Sequence, residues 1–408
     1  MKVVHISSSA TYGGAAIAAF RLHRSLMKEH DIESAFVQRF PIDRESAKEN
    51  NIYTANTDRN LITRIRKRFN VHTEHYHWVN LNKYPKNYEI ATFATTSYRL
   101  EKLPIIKDAD IIHLHWVAEF LNYPTFFKNI KQPIVWTLHD INAFRGMFHF
   151  DSDREKNSEH YGALDQKTLD LKAKSINKKD DISIVCLSEW MKAKSQASKA
   201  FQRYPHYLIP NGIEFSYYPL KEKEQARYKL GINNSKKNIL AVGASLENEQ
   251  KGFPILFDAV NKLNPDLFNL ITVGSLSDKS YINKNTNHIH AENINDTTIL
   301  NDYYTAADIT VIPSREDNLP NVMLESFANG TPIISFSNGG MAEHVKTGEN
   351  GILIEKIGVD TLVQSLNDFL NDKYTFNREQ IRQYAENNFS DTLQTERYIK
   401  LYNEILGR

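Results

Sequence analysis

A chain of 408 residues, 41% of them apolar and with a formal net charge of +1, is long enough for two cores of roughly 200 residues each and has no global pull toward nucleic acid. No apolar run approaches the roughly 18 residues a membrane span needs. The start, MKVVHIS, runs directly into a strand pattern without a signal-peptide layout, so a cytoplasmic protein is expected.

In chain order, KVVHIS reads as a β-branched strand, SSSATYGG as a loop, and Ala15, Ala19, Leu22 and Leu26 recur at helical spacing on one face. Gly13 and Gly14 in TYGG let backbone approach a ligand, and the N–H groups of the helix start favour an anion such as a phosphate; a tight strand-to-helix turn is the plain alternative. The spacing is not GxGxxG, which weakens a dinucleotide-dependent oxidoreductase reading. Next comes RNLITRIRKRFN, where Leu61, Ile62, Ile65 and Phe69 share a helical face and Arg64, Arg66, Lys67 and Arg68 fall largely elsewhere. That pattern suits either an anionic membrane surface or a packed helix with a solvated face. His72, His75 and His77 in VHTEHYHW are either metal ligands or members of a polar loop. DIIHLHW, PIVWTLH and ISIVCLS then supply further apolar runs, separated by stretches long enough for crossover helices. The single cysteine, Cys186, lies in the last of these and reads as a buried strand residue.

The pattern breaks at IPNGIEFSYYP, and a charged stretch leads into a second series: NILAVGAS, FNLITVGS, ADITVIPS and PIISFS. Strands of this kind alternating with helices indicate parallel sheets covered on both faces, and ligands bind outside the carboxyl ends of such strands. Three loops of this half attract attention. Lys251 in NEQKG can offer a point charge to a diphosphate or be an ordinary solvated lysine. In SREDNLPNVMLESFANGTP, Pro320 opens a helix and Gly330 closes it, with Asp317 and Asn318 in the loop and Glu325 about a turn and a half further on. In SNGGMAEHVKTGENG, Gly339 and Gly340 are expected to present N–H groups to a second anion.

These motifs together resemble the retaining glycosyltransferases of family 4: TYGG, WTLHD (Trp136 to Asp140), IPNGIE, KG at Lys251, DNLPNVMLE, NGTPII and GGMAEHVKTGENG. NLPN with TLHD is most similar to members that build bacterial surface polysaccharides. The resemblance implies an α/β, GT-B fold: two facing Rossmann-like domains with an interdomain cleft. By it, residues 1–214 would form the acceptor-side domain, 215–385 the nucleotide-sugar domain, and 386–408 a helical segment returning to the first domain. It implies transfer of a sugar from a nucleoside-diphosphate donor to a glycan or lipid-linked acceptor, and the basic segment would suit a peripheral place of this cytoplasmic protein on the inner face of the cell membrane. Asp317 and Glu325, separated by seven residues, would flank the donor, the first at the sugar hydroxyls and the second at the ribose. Asn318 and Leu319 would touch the sugar through backbone N–H groups, Lys251 and Gly14 the diphosphate, and His139 the sugar. Gly13, Gly339 and Gly340 complete the donor loops.

Two departures stand out. Asp317 replaces the family's usual glutamate, and Gly243-Ala244-Ser245 lacks the arginine that commonly follows the glycine. They keep open a second reading, a catalytically inactive nucleotide-sugar-binding protein of the same fold. No cofactor is expected, since preorganised cations and N–H groups can hold the leaving diphosphate without a metal. The DxD triplets Asp108 to Asp110 and Asp151 to Asp153 do not read as metal sites, the first because it leads into a strand rather than out of one.

Overall fold

The computed structural model describes residues 1–57, 65, 68–69, 73–232 and 235–408. Most of the basic amphipathic segment, including Leu61, Ile62, Arg64, Arg66 and Lys67, lies outside the described residues, as does His72.

The described residues form two compact units, Met1–Ile209 with Thr395–Arg408, and Pro210–Gln394. In the first, the apolar runs become β1 (Lys2–Ile6), β4 (Ile111–Leu114), β5 (Ile134–Leu138) and β6 (Ile182–Cys186), each buried along its length except for Lys2. They are joined by β2 (Glu33–Gln38), β3 (Ile52–Thr54) and β7 (His206–Leu208) in the order β3-β2-β1-β4-β5-β6-β7, all parallel. Burial on both faces is why these strands read as near-continuous apolar runs instead of alternating. One face packs Ile112, Leu114, Trp136, Ile184 and Cys186 against Phe120, Phe126 and Phe201. Burial pushes the Cys186 thiol up to about 12. The other face packs Val3, Ile111, Val135 and Val185 against Leu22 and Leu26 of the helix Gly14–Leu26 and Tyr398, Leu401 and Tyr402 of the C-terminal helix Asp391–Leu406.

The second unit holds β8 (Lys237–Ser245), β9 (Phe268–Ser275), β10 (Asn287–Ala291), β11 (Ile309–Ile312), β12 (Ile333–Phe336) and β13 (Gly351–Ile354). Their order is β10-β9-β8-β11-β12-β13, again parallel. In each sheet the chain builds outward from its first strand, then returns to that strand's other side. The crevice at that reversal lies at the carboxyl ends of β1 and β4 in one unit and of β8 and β11 in the other.

A half-buried electrostatic anchor fixes the second sheet. Asp308, just ahead of β11, accepts two 2.8 Å bonds from the Arg227 guanidinium, one of 2.9 Å from Lys223 and one of 2.9 Å from the Asn238 N–H. It ties the helix Lys223–Leu230 to the amino ends of β8 and β11, away from the reversal point. The Asp108 to Asp110 triplet does the same in the first unit: Lys2 Nζ lies 2.8 Å from Asp108 and the Lys2 N–H 2.8 Å from Asp110.

Candidate active site

In the second unit the loops following β8, β11 and β12 are knitted together by hydrogen bonds to backbone carbonyls. The Arg315 N–H donates to Gln250 O at 2.9 Å, Asn338 Nδ2 to Ser314 O at 2.8 Å, and the Gly340 N–H to Asn318 O at 2.6 Å. Glycine is demanded where strands of loop touch. A Cβ on Gly252 (φ +72°) would fall 1.9 Å from Pro313 O, and one on Gly339 (φ +51°) 1.5 Å from Asp317 O. Thus Gly339 and Gly340 are buried against the Asp317–Asn318 backbone. This differs from the expectation of a second anion site: the Gly340 N–H is already bonded within the loop, and the helix that follows is only Met341–His344.

This cradle brings Lys251 and Asp317 together, with Nζ 2.6 Å from Oδ2. Lys251 is 41% exposed and Asp317 13%, so the cation faces solvent while the carboxylate is held by the loop. Ser314 Oγ reaches the same carboxylate oxygen at 3.4 Å. Asn318 and Leu319 are buried in the loop. The helix Asn321–Ala328 begins directly after Pro320, and Gly330 (φ +66°) ends it. Glu325, one turn in, is 8% exposed and accepts a bond of 3.1 Å from the Tyr304 hydroxyl. Tyr304 was not legible as a site residue, because it lies 21 positions away on the helix Thr297–Ala306. Around the absent arginine, β8 changes register between Val242 and Ser245, Gly243 admits the Phe253 ring, and Ala244 is exposed.

In the first unit, Gly13 and Gly14 are exposed at the start of the helix Gly14–Leu26; Gly13 has φ +90° with open space where a Cβ would go. The Ser9 hydroxyl accepts from the N–H groups of Thr11 and Tyr12 and shapes the turn. His139 follows β5, and burial pushes its imidazole down to about 4 despite the neighbouring Asp140. Asp140 accepts from Trp116 Nε1 at 2.7 Å and the Asn142 N–H at 2.9 Å, and pairs with His149 Nδ1 at 2.6 Å. Burial alone would raise its carboxyl, but His149 and these donors hold it below the usual range. Behind it, the fully buried Lys172 donates to Asn142 O, Asn142 Oδ1 and Gly146 O at 2.7, 2.9 and 2.8 Å. No sequence pattern marks this array, since WTLHD shows only one of its edges.

The remaining metal candidates sit as follows. Asp151 pairs with Lys194 at 2.7 Å and Arg145 at 3.2 Å, and Asp153 accepts from the Glu89 N–H. His77 stacks on Phe93 with centroids 4.0 Å apart, and His75 on Trp78 at 6.0 Å. Among the described residues, the grouping that brings three ligand-type atoms within 4.8 Å of one another is His5, His113 and His115.

Residues 236–372 match the family described as Glycosyl transferases group 1. An uncharacterised glycosyltransferase of Methanocaldococcus jannaschii is 26% identical over 322 residues, covering 73% of this chain and 77% of that one. The capsular polysaccharide biosynthesis glycosyltransferase CapM of Staphylococcus aureus is 24% identical over 242 residues, 55% of this chain and 62% of its own. Anabaena HepE, solved in complex with UDP-glucose, superposes with a TM-score of 0.67 over 99% of this chain and 100% of that one at 15% identity. Fold and matches together define a glycosyltransferase of the GT-B fold. They do not favour the inactive binding protein.

Proposed function

We propose that this protein is a retaining glycosyltransferase of family 4 that moves a sugar from a nucleoside-diphosphate donor to a glycan or lipid-linked acceptor in bacterial surface polysaccharide synthesis. The observation that carries the reading is the meeting of Lys251 and Asp317 over a loop cradle at the carboxyl ends of β8, β11 and β12, with Glu325 one helical turn away. The UDP-glucose bound by Anabaena HepE and the capsular role in the name of CapM support donor class and pathway type.

Cleaving a sugar–phosphate bond develops positive charge at the anomeric carbon and negative charge on the diphosphate. Lys251 supplies a solvent-facing cation for that diphosphate, and Gly13 and Gly14 supply backbone approach to it. Asp317, held at the loop, takes sugar hydroxyls, with Asn318 and Leu319 beside it and His139 as a further sugar contact. Glu325 takes the ribose. The leaving group is neutralised by these groups without a metal. A peripheral membrane contact agrees with the exposure of Ile65, Phe69, Tyr76, Trp78 and Val79 around the basic segment. Among the described residues no helix is long and apolar enough to cross a membrane.

The test is a panel of nucleotide sugars scored for thermal stabilisation, hydrolysis and transfer, in buffer and in excess EDTA. A donor at 100 times its dissociation constant should stabilise by about 2.7 kcal/mol. Turnover should survive the chelator. Stabilisation without turnover by any donor would favour the binding protein, and loss of turnover in EDTA restored by manganese would contradict the metal-free reading.

A further inference from the structure

The reaction assigned above uses the end of the second sheet at which its strands finish. The opposite end carries a groove of about 710 Å³, within the size range of small-molecule sites. One wall is the turn ahead of β13, through Gly348, Glu349 and Asn350. The other is the helix Arg378–Phe389 with the stretch Thr375–Asn377 that leads into it. Asn350 marks the end of the sheet concerned, because its carbonyl accepts from the N–H of Ile333, where β12 begins. Among the described residues, none assigned above to the donor borders the groove.

The helix sorts its polar residues by side. It carries Arg378, Glu379, Arg382 and Glu386, yet none of these lines the groove. Gln380, Gln383, Tyr384 and Asn387 do, spaced i, i+3, i+4 and i+7 along one face. In a chain of which 24% is charged, a merely solvated face would share those charges. Asn350 and Asn377 add further amides, and the carboxylate of Glu349 has Lys346 of its own turn 3.9 Å away. Such a lining lacks the cations that a phosphate, a nucleic acid or an anionic membrane requires. An amide sets a donor beside an acceptor, which matches a hydroxyl that is both. Phe376 and Tyr384, half-buried, offer ring surface to the C–H faces of a sugar. The walls are also held in place. Asn350, 3% exposed, accepts from the Lys346 N–H at 2.7 Å and donates to His344 O at 2.9 Å, and the Tyr384 hydroxyl lies 2.9 Å from His344 Nδ1. Gln383 Nε2 donates to Asn387 Oδ1 at 3.0 Å, and Asn377 Oδ1 accepts from the Gln380 N–H at 2.9 Å. A rim ordered beforehand loses less entropy on binding.

We infer that this groove is a second carbohydrate site, taking a neutral oligosaccharide at the end of the sheet opposite the donor cradle. An extended peptide is the poorer fit, because the described lining is a turn, a loop and a helix, with no strand edge for a peptide backbone to pair with. The inference rests on the proposed function for its purpose but not for the binding itself. Bound there, a neutral stretch of acceptor or product glycan stays beside the enzyme between transfers, which raises its effective concentration without a new contact at the donor loops.

The test applies the full chain to an array of neutral and acidic oligosaccharides of hexoses, deoxyhexoses and N-acetylhexosamines, then follows the best retained by hydrogen–deuterium exchange. Neutral members should be retained, with protection at residues 346–350 and 375–387. Gln383→Ala combined with Asn387→Ala removes two exposed side chains and should weaken retention by about tenfold or more, while thermal stabilisation by a nucleotide sugar stays unchanged. No retention, retention of acidic members alone, protection confined to other segments, or retention untouched by the double variant overturns the inference. Protection of the same segments by unstructured peptides and by no glycan would assign the groove to a peptide and overturn it too. Neutral glycan held at the groove by a protein that binds no nucleotide sugar would uphold the groove and sink the proposed function; donor turnover without glycan at the groove would sink the groove alone.

Discussion

Removal of the Asp317 carboxylate separates the two jobs that meet in the loop cradle. In the free protein Asp317 holds the Lys251 ammonium at 2.6 Å. Asp317→Ala therefore releases the cation meant for the diphosphate while deleting the contact meant for the sugar. Because Lys251 is 41% exposed, the ion pair is screened and worth at most about 1 kcal/mol. Affinity for free nucleoside diphosphate should then stay level or rise by up to about fivefold. Turnover should fall by about 100-fold or more, a barrier increase of about 2.7 kcal/mol. Lys251→Ala should weaken the diphosphate by about 1.5 to 3 kcal/mol, the loss of a charged hydrogen bond. Calorimetric titration of the diphosphate, beside steady-state transfer, reads both quantities. A tenfold loss of diphosphate affinity in Asp317→Ala would refute the division of roles.

Gly339→Ala should abolish donor binding, since its Cβ would lie 1.5 Å from Asp317 O at φ +51°, whereas Gly13→Ala, with nothing within 4 Å, should fold with about 1 kcal/mol of backbone strain alone; thermal melts with and without donor compare them. Lys172→Met leaves three acceptor atoms without their ammonium and should cost about 3 kcal/mol, read as a fall of roughly 6 to 12 °C in the melting temperature of the first unit. Stability should also fall as pH drops from 6.5 toward 4. Burial pushes His23 and His139 down to about 4, so the unfolded chain takes up protons first, each contributing up to about 1.4 kcal/mol per pH unit. A urea midpoint flat across that window, or unchanged in slope by His23→Gln, would contradict this.

Central strands were legible because burial on both faces writes them as apolar runs: DIIHLHW, PIVWTLH and NILAVGAS lie where β4, β5 and β8 form. The outer strands β3, β7 and β10 were not, being short or partly exposed and carrying no such run. Pro320 and Gly330 bracket a helix, because each has a backbone preference that acts locally. Contacts made by chain reversal were out of reach. Lys251 and Asp317 are 66 residues apart and His5 and His115 are 110 apart, brought together only by strand order. Gly340 illustrates a local signal misread: the small residue is needed for close approach to Asn318 O, not to bare an N–H.

The central claim is that a nucleoside-diphosphate sugar binds on the loops after β8, β11 and β12. Hydrogen–deuterium exchange with the most stabilising donor of the panel tests it without requiring turnover. Protection should concentrate in residues 246–252, 313–325 and 337–340, and be lost from all three in Lys251→Ala at the same donor concentration. Protection confined to other segments, or no response to any nucleotide sugar, would contradict the account.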